Sequence, residues 1–150
     1  MKKLFVFSLL ALISSSIQAQ TAEEEVKAVI ESLFDGMRAK NTEMIASAFD
    51  PKALMQTIVV SENGAETRSN AVQDFVARIG QSPAETQLDE RITDYQIKVD
   101  GDLASAWTPY EFYVNGEFSH CGVNSFQLVR MAEGWKIVYI IDTRRKEDCV

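Results

Sequence analysis

The chain has 150 residues, enough for one sizeable core, and carries 22 acidic against 15 basic side chains for a formal charge of −7. That balance excludes nucleic acid, whose binding needs clustered Lys and Arg to displace counterions, and disfavours anionic lipid. One histidine and two cysteines exclude a structural zinc site of the usual kind within one chain, and neither metal nor cofactor is expected.

Residues 1–19 are the first element. Met1-Lys2-Lys3 is positive, Leu4 to Ile13 is almost unbroken apolar chain, and Ser14 to Ala19 is mostly small and polar. That order predicts a secretory signal peptide cleaved after Ala19, leaving a single domain over residues 20–150. A retained anchor is the other reading, but an apolar run of about ten residues is half of what a bilayer span needs. No cysteine lies near the cleavage point, so a lipid anchor is not expected. Because Lys2 and Lys3 fall in this segment and no acid does, the remainder holds 13 basic against 22 acidic side chains, a charge of −9. The expected destination is the periplasm or the outside, where disulfides persist. Cys121 and Cys149 then read as a staple closing a loop of about 29 residues, worth about 3.5 kcal/mol; two buried free thiols are the alternative.

Thr21 to Glu24 has the spacing of a capping box, and Val26, Ile30, Leu33, Phe34 and Met37 recur at helical period through about Ala39. Asn41-Thr42 caps a shorter helix carrying Met44, Ile45 and Phe49, stopped by Asp50-Pro51. Ala53–Val60 and Glu66–Ser69 flank Ser61-Glu62-Asn63-Gly64, a hairpin turn. Ser69 or Asn70 opens a third helix with Val72, Phe75, Val76 and Ile79 on one face, ended by Gly80. Beyond Pro83 the period changes to two. Four strands are predicted at about Asp89–Val99, Leu103–Val114, Glu117–Met131 and Trp135–Lys146, joined by short turns and therefore antiparallel neighbours. Helices first and a meander after them predict an α+β fold, helices packed on one face of a curved sheet.

Two turns set an approximate register. Asn115-Gly116 as a two-residue loop puts Glu111 opposite His120; Ala132-Glu133-Gly134 as a three-residue loop puts Gly122 opposite Arg144 and Asn124 opposite Asp142. Alternation then places Trp107, Glu111, Tyr113, His120, Asn124, Asp142 and Arg144 on one face, with Phe126, Leu128, Val138 and Ile140 further along it. The expected site is a half-filled concave sheet, apolar at one end and polar at the other. The opposite face, with Ala104, Ala106, Tyr110, Phe112, Val123, Val129, Ile137, Tyr139 and Ile141, is too apolar for water and reads as a subunit interface. A single β-bulge would exchange the two faces.

With the strands placed, the chain resembles the nuclear transport factor 2-like superfamily, and within it a secreted bacterial, SnoaL-like branch labelled putative lumazine-binding. The resemblance spans Thr21 to Val150 and is sharpest in Trp107-Thr108-Pro109-Tyr110-Glu111-Phe112, Ser119-His120-Cys121-Gly122, Gly134-Trp135-Lys136-Ile137 and Ile141-Asp142-Thr143-Arg144-Arg145-Lys146. It implies a cone of three N-terminal helices wrapped by a strongly curved mixed or antiparallel sheet, with a hydrophobic pocket and a homodimer formed through the sheet. It implies no reaction, since the superfold hosts enzymes, carriers and assembly modules.

The candidate chemistry is a His–carboxylate site: His120 oriented by Glu111 or Asp142, with a ligand between Trp107 and Tyr113 and further contacts from Asn124 and Arg144. The plainer reading makes His120 a cross-strand partner of Glu111 and Asp142 a structural partner of Arg144 or Arg145. Arg144, Arg145 and Lys146 form the one local basic cluster, with forks suited to a small anion. No Gly-rich phosphate loop, nucleophile elbow or metal-ligand spacing is present. The leading expectation is a non-catalytic pocket protein for a small apolar or aromatic molecule. A cofactor-independent lyase or isomerase using His120, and an interaction module whose pocket is filled by its own side chains, are the alternatives.

Overall fold

The computed structural model describes residues 20–149, so the signal-peptide expectation for residues 1–19 lies outside the described residues. Helix α1 spans Ala22–Ala39 and α2 spans Thr42–Ser47; β1 (Phe49–Ser61) and β2 (Gly64–Asn70) follow, then α3 (Val72–Gly80). The second half is all strand: β3 (Leu88–Ile92), β4 (Gln96–Asp100), β5 (Leu103–Val114), β6 (Glu117–Met131) and β7 (Gly134–Asp142).

The capping box forms as expected. The Thr21 N–H donates to Glu24 Oε2 at 2.8 Å, and the Glu24 N–H donates to Thr21 Oγ1 at 3.2 Å. The buried stripe of α1 is Val26, Ile30, Leu33, Phe34 and Met37. Asn41 caps α2 through Met44 N–H, but α2 stops at Ser47 and Phe49 already belongs to β1. Helix α3 starts after Ala71, which makes no side-chain cap, rather than at Ser69 or Asn70, because both of those pair in the β1–β2 hairpin.

The strands form one sheet in the order β2-β1-β7-β6-β5-β3, with β4 also paired to β5. It is mixed, since β1 runs parallel to β7 while the other pairings are antiparallel. The helices pack against its inner face over a core that includes Phe126, Leu128, Ile137, Ile30 and Leu33.

Irregularities decide which side chains face inward. The strand expected at Asp89–Val99 is two strands. Three residues, Thr93 to Tyr95, stand opposite two, Thr108 and Pro109, so the pairing with β5 shifts by one. Pro109 has no N–H to give the ladder, which explains why the break falls there. Next, Tyr113 pairs with Phe118 but Phe112 pairs with His120, leaving Ser119 as a bulge. Glu111 therefore faces Cys121 and not His120, and every residue of β5 before the bulge changes side relative to the regular register. The turn before β7 has two residues, not three, because Met131 pairs with Gly134. A bulge at Val138 restores the shift, so Asn124 does stand opposite Asp142, but Val138 itself is not in the core. Ala104, Ala106 and Ile137, expected on the opposite face, are core residues.

Cys121 and Cys149 form a disulfide. Beyond β7 the chain pairs again with β6, Cys121 and Arg145 exchanging backbone hydrogen bonds at 2.8 Å each way. Gly122 permits this approach: a Cβ there would sit 1.9 Å from the Thr143 carbonyl oxygen.

Candidate functional site

A cavity of about 370 Å³ lies between α1 and α3 on one side and the inner sheet face on the other. The residues of its wall explain its character. Leu33, Phe34 and Met37 come from the inner stripe of α1, Phe75 and Ile79 from α3, and Leu88, Phe112 and Ile140 from the strands. Most of the wall is thus apolar. At one end the strands supply polar groups instead: Glu90 from β3, Tyr110 from β5, His120 and Asn124 from β6, Asp142 from β7 and Arg144 just beyond it.

These polar groups are largely bonded to one another. Asn124 Nδ2 donates to Glu90 Oε1 at 2.7 Å, and Arg144 Nε donates to Asp142 Oδ2 at 2.7 Å. The Tyr110 hydroxyl donates to the Thr143 carbonyl at 3.0 Å and sits 3.5 Å from Asp142 Oδ2. Burial of the Glu90 carboxyl, set against the Asn124 bond and reinforced by the charge of Asp142, pushes its pKa up to about 7. His120 is shifted down, first by burial and then by the Arg144 guanidinium, with Asp142 opposing. Its ring packs edge-on against Tyr110 and tilted against Phe112, and its Nδ1 lies 3.1 Å from Ser119 Oγ. Thr57 Oγ1, also on the wall, is buried with no hydrogen-bond partner among the described residues.

Of the residues singled out from the sequence, the fold brings His120, Asn124, Asp142 and Arg144 together around the cavity. Trp107, Glu111 and Tyr113 do not line it. The Ser119 bulge turns them to the outer face, where Trp107 is 49% exposed and Tyr113 donates to Glu111 at 2.7 Å beneath the Arg91 guanidinium. Their places are taken by Tyr110 and Phe112, which the regular register had put outside. The His120–Glu111 pair is consequently not formed. The basic cluster is also less available than its sequence implies: Arg144 is engaged by Asp142, and Arg145 Nε donates to the Asp148 carbonyl at 2.9 Å. Glu90 was not legible, because the residue that defines its role, Asn124, is 34 positions away on a strand that is not its neighbour.

Among the described residues no group of three or more His, Cys, Asp or Glu is placed to hold a metal ion, and no helix is long and apolar enough to cross a membrane. The family described as putative lumazine-binding matches residues 21–140. No curated protein matches the chain. Solved structures similar to it include a nuclear transport factor 2-like protein with a cystatin-like fold from Novosphingobium aromaticivorans, 15% identical, with a TM-score of 0.67 over 85% of this chain and 84% of that one. A nuclear transport factor 2-like superfamily protein from Salmonella enterica is 16% identical, with a TM-score of 0.64 over 86% and 94%. A putative dehydratase of the same family from Streptomyces avermitilis is 16% identical, with a TM-score of 0.63 over 81% and 94%. At these identities the likeness is one of fold.

Proposed function

Since the chain belongs to the putative lumazine-binding family, within the nuclear transport factor 2-like superfamily, we propose that it is a pocket protein that binds a small molecule with an apolar or aromatic body and does no chemistry on it. The observation that carries this reading is the cavity itself: about 370 Å³, apolar along most of its wall and polar at one end. A filled interaction module would have its own side chains in that space. The non-catalytic reading is supported by His120, which is hydrogen-bonded to Ser119 and to no carboxylate among the described residues. The lyase or isomerase alternative, expected to use His120 with Glu111 or Asp142, lacks the Glu111 pair and is supported instead by Glu90, a carboxyl on the cavity wall whose pKa of about 7 suits an acid–base group. It predicts exchange of a bound ligand's C–H for deuterium in heavy water, lost in Glu90→Gln.

Two further parts of the proposal concern where and how the protein works. Export to the periplasm or the outside is supported by the charge and apolar order of residues 1–19 and by the use of both cysteines in one disulfide. A homodimer through the sheet is supported by the outer face, where Leu103, Trp107 and Phe118 are 51%, 49% and 44% exposed.

Native mass spectrometry of the protein purified from its own source tests the binding function. The expected spectrum carries a small added mass that denaturation releases and that Ile140→Trp, which fills the cavity, prevents. The bare mass of the parent chain, with nothing added even after incubation with apolar or heteroaromatic compounds, contradicts the reading.

A further inference from the structure

The polar end of the cavity is unbalanced in charge. Among the strand residues at this end, the carboxylates of Glu90 and Asp142 stand with Arg144, which spends its short contact on Asp142, while the cavity's other arginine, Arg78, comes from α3. The other charged groups nearby do not make up the difference. Arg38 of α1 hydrogen-bonds the Glu90 backbone carbonyl and shares its guanidinium between Asp35 and Asp89, so that it acts on the Glu90 carboxyl, as Arg144 does, only through space. Arg78 of α3 lines the cavity but is exposed, so solvent screens its charge. His120 of β6 is held toward its neutral form by burial, and Tyr110 of β5 donates its proton to Thr143. Among the described residues Glu90 is left with one side-chain hydrogen bond, from Asn124, which is neutral and cannot balance its charge.

We propose that the cavity is built for a ligand with a ring-sized apolar body and a basic nitrogen, an arylalkylamine in chemical class, whose ammonium group pairs with Glu90. The inference rests on the pocket reading and narrows it: the apolar wall takes the body, and the carboxylate of Glu90, which makes no ion pair among the described residues, takes the cation. A buried carboxylate without a counter-ion is costly, and a bound ammonium supplies the missing charge. An anion would instead meet Glu90 and Asp142, with the Nε of Arg144 already engaged by Asp142. The surplus acidity of the whole chain favours the same choice, since it concentrates cations near the surface. The Thr57 hydroxyl on the same wall, without a partner among the described residues, offers an additional polar contact to an entering molecule.

Free Glu90 resolves its isolation by holding a proton near neutral pH, so an entering ammonium must displace that proton. With ionisation centred near 7, the competent fraction rises about tenfold between pH 6 and 8, and the apparent affinity rises with it. Naphthylmethylamine, naphthylmethanol and naphthoate share one apolar body and differ in charge, and the first stays protonated over that range. Isothermal titration of all three, in buffers of different ionisation enthalpy, is the test. The amine is expected to bind tightest, to gain about tenfold from pH 6 to 8, and to release about half a proton at pH 7. In Glu90→Gln its advantage over the alcohol and its pH dependence are both expected to vanish. Binding of the alcohol or the acid as tightly as the amine overturns the cation assignment and leaves the pocket reading standing. Failure of all three to bind, alcohol included, overturns the pocket reading and the assignment with it.

Discussion

A desolvated carboxyl at the polar end of the cavity makes the stability of this protein depend on pH in an unusual sense. The folded-state pKa of Glu90 is raised to about 7 from an ordinary 4.5, so between those values the folded protein holds a proton that the unfolded chain has lost. Stability from this group therefore falls as pH rises through that window, and the full cost, on the order of 3 kcal/mol, is present above it. Glu90→Gln keeps an acceptor for Asn124 without the charge. We expect urea denaturation at pH 8 to show the variant gaining on the parent chain by about 1–3 kcal/mol, with little difference at pH 4. An equal effect at both pH values would mean that Glu90 is not desolvated. His120 has the opposite slope: its lowered pKa removes stability as pH falls below its ordinary value of 6.5.

At the scale of elements, the strands that form the polar end are held by the chain that follows them. Thr143 to Cys149 lies against β6 through the Arg145 pairing, the Thr143 contacts and the disulfide, and this segment carries Arg144 to Asp142. Cys149→Ser is expected to lower stability by about 3 kcal/mol and to speed amide exchange at Arg145 while β5 stays protected. Gly122→Ala forces a Cβ against the Thr143 carbonyl, 1.9 Å away, and is expected to cost about 1–3 kcal/mol with the same local signature. Unchanged exchange at Arg145 in both variants would show that the tail is not held this way. The elements themselves were legible where the signal is local. The capping box, the α1 stripe and the Asn115-Gly116 turn all follow from residues within one or two turns of each other. Facing was not, because it depends on three irregularities: the Thr93–Tyr95 offset, the Ser119 bulge and the Val138 bulge. Each moves a strand by one residue, and a one-residue shift exchanges its faces. That is why Trp107 and Tyr113 gave way to Tyr110 and Phe112 while Asn124 and Asp142 kept their places. The parallel β1–β7 pairing joins segments far apart in sequence, and no turn announces it.

For the whole molecule, the two faces of the sheet divide the work. The inner face, with the helices, encloses the cavity, and the outer face leaves Trp107 and its apolar neighbours in contact with solvent. If the outer face is the dimer surface, sedimentation should give twice the chain mass, and Trp107→Lys should return it to monomer without loss of folded circular dichroism; a monomeric parent chain contradicts that arrangement. The central claim is that a small molecule enters the cone between α1, α3 and the sheet. Methyl NMR of the labelled protein titrated with naphthylmethanol tests it most directly. The account predicts shifts at Leu33, Met37, Met55, Ile79 and Ile140, which line the cavity, with Leu103 and Met131 unmoved. Shifts confined to Leu103, Met131 and the outer face, with the cavity methyls silent, would contradict it.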